Sequence, residues 1–104
     1  MTNHIVLIGN LTEDVRLTKV NESTIANFRI AVNDKRDKEK TLFINITAFN
    51  KLAELVNTHL EKGSKVAVVG RLQIRQVEDK QYTEIIANEV EFLSPREKTP
   101  YDFA

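Results

Sequence analysis

The residue that points most directly to chemistry is Phe43. Over 41–48, Leu42, Ile44, Ile46 and Ala48 alternate with Thr41, Phe43, Asn45 and Thr47, the period of a half-buried strand. Phe43 falls on the polar side, where a ring gains no burial energy unless something covers it. An unpaired nucleic-acid base can do so, because stacking on an aromatic side chain contributes about 1–3 kcal/mol per base. A subunit contact or a loop would cover it equally well, and the pattern leaves both readings open. Phe49 keeps the same parity at a strand–helix junction, where packing at a barrel rim competes with stacking. Tyr82 opens a late strand beside a charged turn; its amphipathic ring suits a base or an ordinary strand position.

Cationic side chains accompany these rings. Lys65, Arg71, Gln73 and Arg75 share one parity of a later strand, and Arg29 lies on the wet side of an earlier one. Lys35, Arg36, Lys38 and Lys40 stud the segment 34–40. A groove lined by such residues would hold phosphates while the aromatics take bases. Asp34, Asp37 and Glu39 stand in the same segment and dilute its field, so a solvated surface is the competing reading.

Catalysis finds no comparable support. The three glycines, Gly9, Gly63 and Gly70, are isolated, so no phosphate-cradling loop is formed. No G-x-S-x-G or paired-carboxylate constellation stands out. There is no cysteine, and His4 and His59 lie far apart. Disulfide frameworks, zinc knuckles and thiol nucleophiles are excluded, and two separated histidines make a poor zinc set. The expectation is a binding protein with no catalytic residues, cofactor or metal.

The elements that must position these residues follow from periodicity. Residues 3–11, with Ile5-Val6-Leu7-Ile8 and then Gly9, read as a strand with a bend. Over 25–33, Ala26, Phe28, Ile30 and Val32 face one way, while Asn27, Arg29 and Asn33 face the other. The strand 41–48 follows. Residues 50–62 read as a helix, with Leu52, Leu55, Val56, His59 and Leu60 on one stripe, Asn50 as N-cap and Gly63 as the stop. A hairpin over 65–77 and 81–93 turns at Glu78-Asp79-Lys80. Three strands, a helix and two strands predict an all-β OB-fold, a five-stranded Greek-key barrel with one helix between strands three and four. The barrel would span 1–94, leaving 95–104 as a short flexible tail.

With 104 residues the chain suits one domain. No apolar run approaches the ~20 residues of a membrane helix, and the start lacks a signal-peptide pattern; a cytoplasmic, nucleoid-associated protein with no membrane partner is expected. Fifteen Lys and Arg balance fifteen Asp and Glu. A cationic footprint therefore requires the charges to segregate by face.

Six blocks in order resemble the bacterial single-stranded DNA-binding proteins, over residues 3 to 93. These are Ile5 to Thr12, Ile25 to Asn33, Phe43-Ile44-Asn45 with Ala48 to Glu54, Leu60 to Ser64, Val69 to Arg75, and Tyr82 to Ala87. The resemblance implies homotetramers, or dimers in some members, that bind single-stranded DNA with little sequence preference during replication, recombination and repair. It places Phe43 and Phe49 at base-stacking positions and adds Lys51, at the helix entrance, to the DNA-binding set. That set is Phe43, Phe49, Arg29, Lys35, Arg36, Lys51, Arg71, Arg75 and Tyr82.

The chain also departs from the family pattern. Arg36 and Val77 occupy two positions where the family has aromatics, although a guanidinium plane can still stack on a base. Val15 stands where proline usually follows Asp14, which obscures the place of Arg16. Residues 95–104 do not show the family's long linker or acidic tip, so replication or recombination proteins are expected as partners without recruitment through such a tail. The missing rings and zero net charge motivate an alternative, a primosome-type OB-fold adaptor whose main role is protein interaction. The parity His4, Val6, Ile8 is an expected subunit contact.

Overall fold

The computed structural model describes residues 3–33, 36 and 40–93. Its elements are β1 (Ile5–Leu11), β2 (Arg16–Val20), β3 (Ser23–Asn33), β4 (Thr41–Phe49), α1 (Asn50–His59), β5 (Lys65–Val77) and β6 (Lys80–Phe92). Strand alternation builds the core. Ala26, Phe28 and Ile30 from β3, Ile46 and Ala48 from β4, Val66 and Val68 from β5, and Ile85 and Ala87 from β6 converge inside. Full burial of one such aliphatic or aromatic side chain contributes about 1.5–3 kcal/mol, more than a typical net hydrogen bond. Ala53 and Val56 of α1, with Leu60 just beyond it, complete the same core, and α1 packs on β3 and β4.

The strands run β1-β5-β6-β4-β3-β2, and a further β1–β3 pairing closes the ring. Closure between β4 and β6 is parallel, with Asn45 opposite Glu84 and Thr47 opposite Ile86. This is the expected OB-type barrel, with the helix in the expected place. The strand β2 was not expected. It pairs with β3 from Arg16↔Asn27 to Val20↔Ser23, while β1 uses the same edge further along, at Asn10↔Ala31 and Leu11↔Ile30. Together β1 and β2 serve as one interrupted barrel strand, so the ring still has five members. All five β2 residues are exposed, and no burial pattern reports them. Asn21 opens the β2–β3 turn at φ 59°, a left-handed conformation that Asn tolerates.

Several local expectations are corrected. The helix ends at His59, three residues before the expected 62, and the Leu60 N–H donates to the Val56 carbonyl at 2.9 Å. Gly63 is therefore not the helix stop. At φ 93° it turns the chain back to β1, where its N–H donates to the Leu11 carbonyl at 2.9 Å. Leu55 and His59 leave the buried stripe: Leu55 is 44% exposed and the His59 ring meets Phe92 at 5.0 Å. Leu42 is 60% exposed rather than core, because β4 starts beyond the barrel end, beside Val32. The β5–β6 turn is only Glu78-Asp79, with Lys80 already in strand. The expected tail 95–104 and the loop residues Lys35 and Lys38 lie outside the described residues.

Asn50 is not the N-cap either. Phe49 holds that position with extended backbone and no side chain caps it. Asn50 has φ 54°, and its Oδ1 accepts from the Thr24 N–H at 3.3 Å, tying β3 to the helix start. Asn50→Ala loses this acceptor and also the short polar side chain that lets Asn tolerate left-handed backbone, a cost of about 2 kcal/mol. Asn50→Gly keeps the backbone and loses only the hydrogen bond, about 1 kcal/mol. Urea unfolding midpoints should fall in the order wild type, Gly, Ala. Equal midpoints for the two variants would deny the backbone contribution.

Candidate nucleic-acid interface

Register turns the outward parity into rows. One row crosses the sheet as Arg16, Asn27, Thr47, Ile86 and Arg71. The next runs Arg29, Asn45, Glu84 and Gln73. Phe43 stands beside Ala31 and Phe49 beside Ile25 at the two ends of β4. Tyr82 pairs with Arg75 on the β5–β6 hairpin. Each of these lies on the side opposite the core because β-strand side chains alternate.

The rings are bare to different degrees. Phe43 is 61% exposed, Tyr82 43% and Phe49 41%. The Arg75 guanidinium carbon lies 5.7 Å from the Tyr82 ring centroid, a cation–π contact that holds both side chains at the groove edge. Between the rings the floor is polar and tied down. The Thr47 hydroxyl lies 3.0 Å from Asn27 Oδ1 and 3.1 Å from Glu84 Oε2. One hydroxyl proton serves one acceptor, so the Asn27 amide is best turned to donate its NH2 while Thr47 donates to the carboxylate. Gln73 Nε2 donates to Glu84 Oε1 at 3.4 Å, and Arg29 Nε reaches Asn45 Oδ1 at 3.5 Å. These bonds are long and weak, which leaves Arg29 able to turn to a ligand.

Two adjoining depressions form the groove. One has Arg16, Arg29 and Asn45 on its walls, the other Phe49, Gln73 and Ile86, and both share Asn27, Arg75 and Glu84. Four arginines, Arg16, Arg29, Arg71 and Arg75, face Glu13 and Glu84 across this side, an excess of two positive charges by count. Glu89 and Glu91 collect elsewhere, opposite Val69 and Ala67, whose β1 partners are Val6 and Ile8. Zero net charge is thus compatible with a local cationic excess on this side.

The structure gathers Phe43, Phe49, Tyr82, Arg29, Arg71 and Arg75 on one side. It places Lys51 elsewhere, on the exposed side of α1 with Glu54, Leu55, Thr58 and His59. Arg36 is exposed, and Lys35 lies outside the described residues. Val77, 47% exposed near the hairpin tip, provides no stacking platform. Arg16 and Glu84, which also line the depressions, are not among the expected site residues. Asn21 was the available sign of a hairpin that brings Arg16 opposite Asn27, and Glu84 shares the parity of Tyr82.

Comparison with known proteins identifies a family. The model of the "Single-strand binding protein family" matches residues 2–93. Single-stranded DNA-binding protein 1 of Staphylococcus aureus strain Mu50 is 41% identical over 92% of this chain and 68% of its own length. Single-stranded DNA-binding protein 2 of the same strain is 39% identical, with 75% of its length covered. The single-stranded DNA-binding protein of Halalkalibacterium halodurans is 38% identical, with 63% covered.

Proposed function

The chain belongs to the single-strand binding protein family, and from that premise we propose that its outward β3–β4–β6–β5 side binds single-stranded DNA with little sequence preference. Bases stack on Phe43, Phe49 and Tyr82, and Arg16, Arg29, Arg71 and Arg75 hold phosphates. Stacking is tolerant of sequence because every base has a π-face. The observation that carries the reading is Phe43, a large apolar ring 61% exposed amid hydroxyl and amide neighbours. Arg36 would add a cation or a guanidinium plane if the strand reaches its segment. Lys51, across the helix entrance from Phe49, would meet DNA only if the strand continues around α1.

Coating exposed strands suits DNA replication, recombination and repair in the cytoplasm, and it requires no catalytic group or cofactor. The chain assembles through β1, where Val6 and Ile8 are 56% and 52% exposed; two apolar side chains on one outward parity, on a stretch that pairs with β5 alone, favour a second copy. Titration of poly(dT) across salt concentrations, following protein mass and site size together, tests both parts. Log affinity should fall with log salt at a slope of about −2 to −3, from three or four phosphate contacts at about −0.7 each on single strands. A flat salt response or a monomer at every concentration contradicts the corresponding part.

A further inference from the structure

We propose that Glu84 fixes how the strand lies in the groove, turning bases to the floor and phosphates to the rim, and that it accepts hydrogen bonds from the amino groups of bases. This rests on the DNA-binding reading above. The carboxylate stands mid-row, between Asn45 on β4 and Gln73 on β5, and borders both depressions. Its two oxygens accept from Thr47 at 3.1 Å and Gln73 at 3.4 Å. Both donors are neutral, so they orient the group without cancelling its charge. A carboxylate offers about four lone-pair sites, and half remain open.

Arg75 borders the same depressions, but its guanidinium is drawn over the Tyr82 ring. The consequence is a negative centre with cations around it. A phosphate approaching the floor meets a like charge and is repelled, while the arginines attract it to the edge. A base approaching the floor meets an acceptor. Cytosine N4, adenine N6 and guanine N2 are amino donors toward which a carboxylate is a suitable partner, whereas thymine has no amino group and offers only its single N3–H. Glu84 is thus a positioning and specificity group at a site where charge alone would favour lysine or arginine.

The test compares wild type, Glu84→Gln and Glu84→Asp on oligo(dC), oligo(dT) and an abasic oligomer of equal length. Glutamine keeps the shape and one acceptor while removing the charge; aspartate keeps the charge. Wild type should bind oligo(dC) over the abasic chain, and Glu84→Gln should lower that ratio about fivefold or more, chiefly by tightening the abasic chain. Glu84→Asp should hold the abasic affinity near the wild-type value. A ratio that changes less than twofold in Glu84→Gln, with unchanged thermal midpoint, overturns the inference alone. Equal wild-type affinity for abasic and base-bearing chains overturns the stacking reading, and absence of binding to all three overturns both.

Discussion

Phe43→Ala is expected to weaken binding to long oligo(dT) by about five- to 150-fold, the equivalent of about 1–3 kcal/mol for one lost stacking platform. The loss should be nearly specific to binding. At 61% exposed, the ring contributes little to the core, and surface substitutions of this kind usually change stability by less than about 1 kcal/mol. Phe92 supplies the control. It is 40% exposed and lies against His59, away from the groove residues, so Phe92→Ala should leave the dissociation constant unchanged. Phe43 and Phe49 are six residues apart on β4, roughly 20 Å along the strand. Their separate losses should multiply in the double variant, because distant sites without shared partners add within about 0.5 kcal/mol. Fluorescence titration at fixed salt measures all five proteins, wild type, the three single variants and the double variant. Wild-type affinity in Phe43→Ala would mean that the ring meets a subunit instead of a base.

The barrel was legible because an inner parity repeats along β1, β3, β4, β5 and β6. Ala26-x-Phe28-x-Ile30 and Ile44-x-Ile46-x-Ala48 each reveal a wet and a dry face, and Phe43 follows at once as the residue on the wrong one. Where burial stops, so does legibility. Leu42 carries the right parity for the core but lies past its end, and alternation cannot report where a barrel finishes. The strand β2 has no buried residue to mark it. Asn50 has the composition of a helix cap, yet its amide serves β3 through Thr24, a contact 26 residues away in sequence. Lys51 is the second residue of α1, and its side chain borders the helix depression with Glu54, Leu55, Thr58 and His59, a direction that strand alternation does not report. Glu84 is obscure for a different reason: in the sequence it is one of fifteen acids, and only the register with Asn45 and Gln73 puts it mid-row.

Gly70→Ala should produce the largest loss of stability and disturb DNA binding as well. A Cβ at Gly70 would overlap the Ile86 carbonyl oxygen and lie 3.0 Å from the Ile86 carbonyl carbon and 3.1 Å from the Ala87 Cα. All three are backbone atoms of the paired strand, which cannot swing aside as a long side chain can. In an open site, Gly→Ala stabilises by about 0.4–1 kcal/mol through the unfolded chain. Here overpacking opposes it at about 1–3 kcal/mol or more, so the clash prevails. Each kcal/mol lowers the midpoint of a domain of this size by about 4–8 °C. The position also sets register: Val69 pairs with Glu89 and Gly70 with Ala87, leaving Asn88 as the extra residue. That bulge lets Ile86 and Glu84 face the groove while Glu89 and Glu91 face outward further along β6. A shift by one residue would exchange the faces of the hairpin, carrying Arg75 and Tyr82 off the DNA side. Gly63→Ala separates the two effects. No atom lies within 4 Å of its added Cβ, but φ is 93°, so it should cost about 1–2 kcal/mol by backbone strain and leave oligo(dT) affinity intact. Thermal melts paired with titrations decide the matter: Gly70→Ala that melts and binds as wild type does would show that β5 and β6 separate freely, and with that the hairpin could no longer be regarded as the fixed wall of the groove.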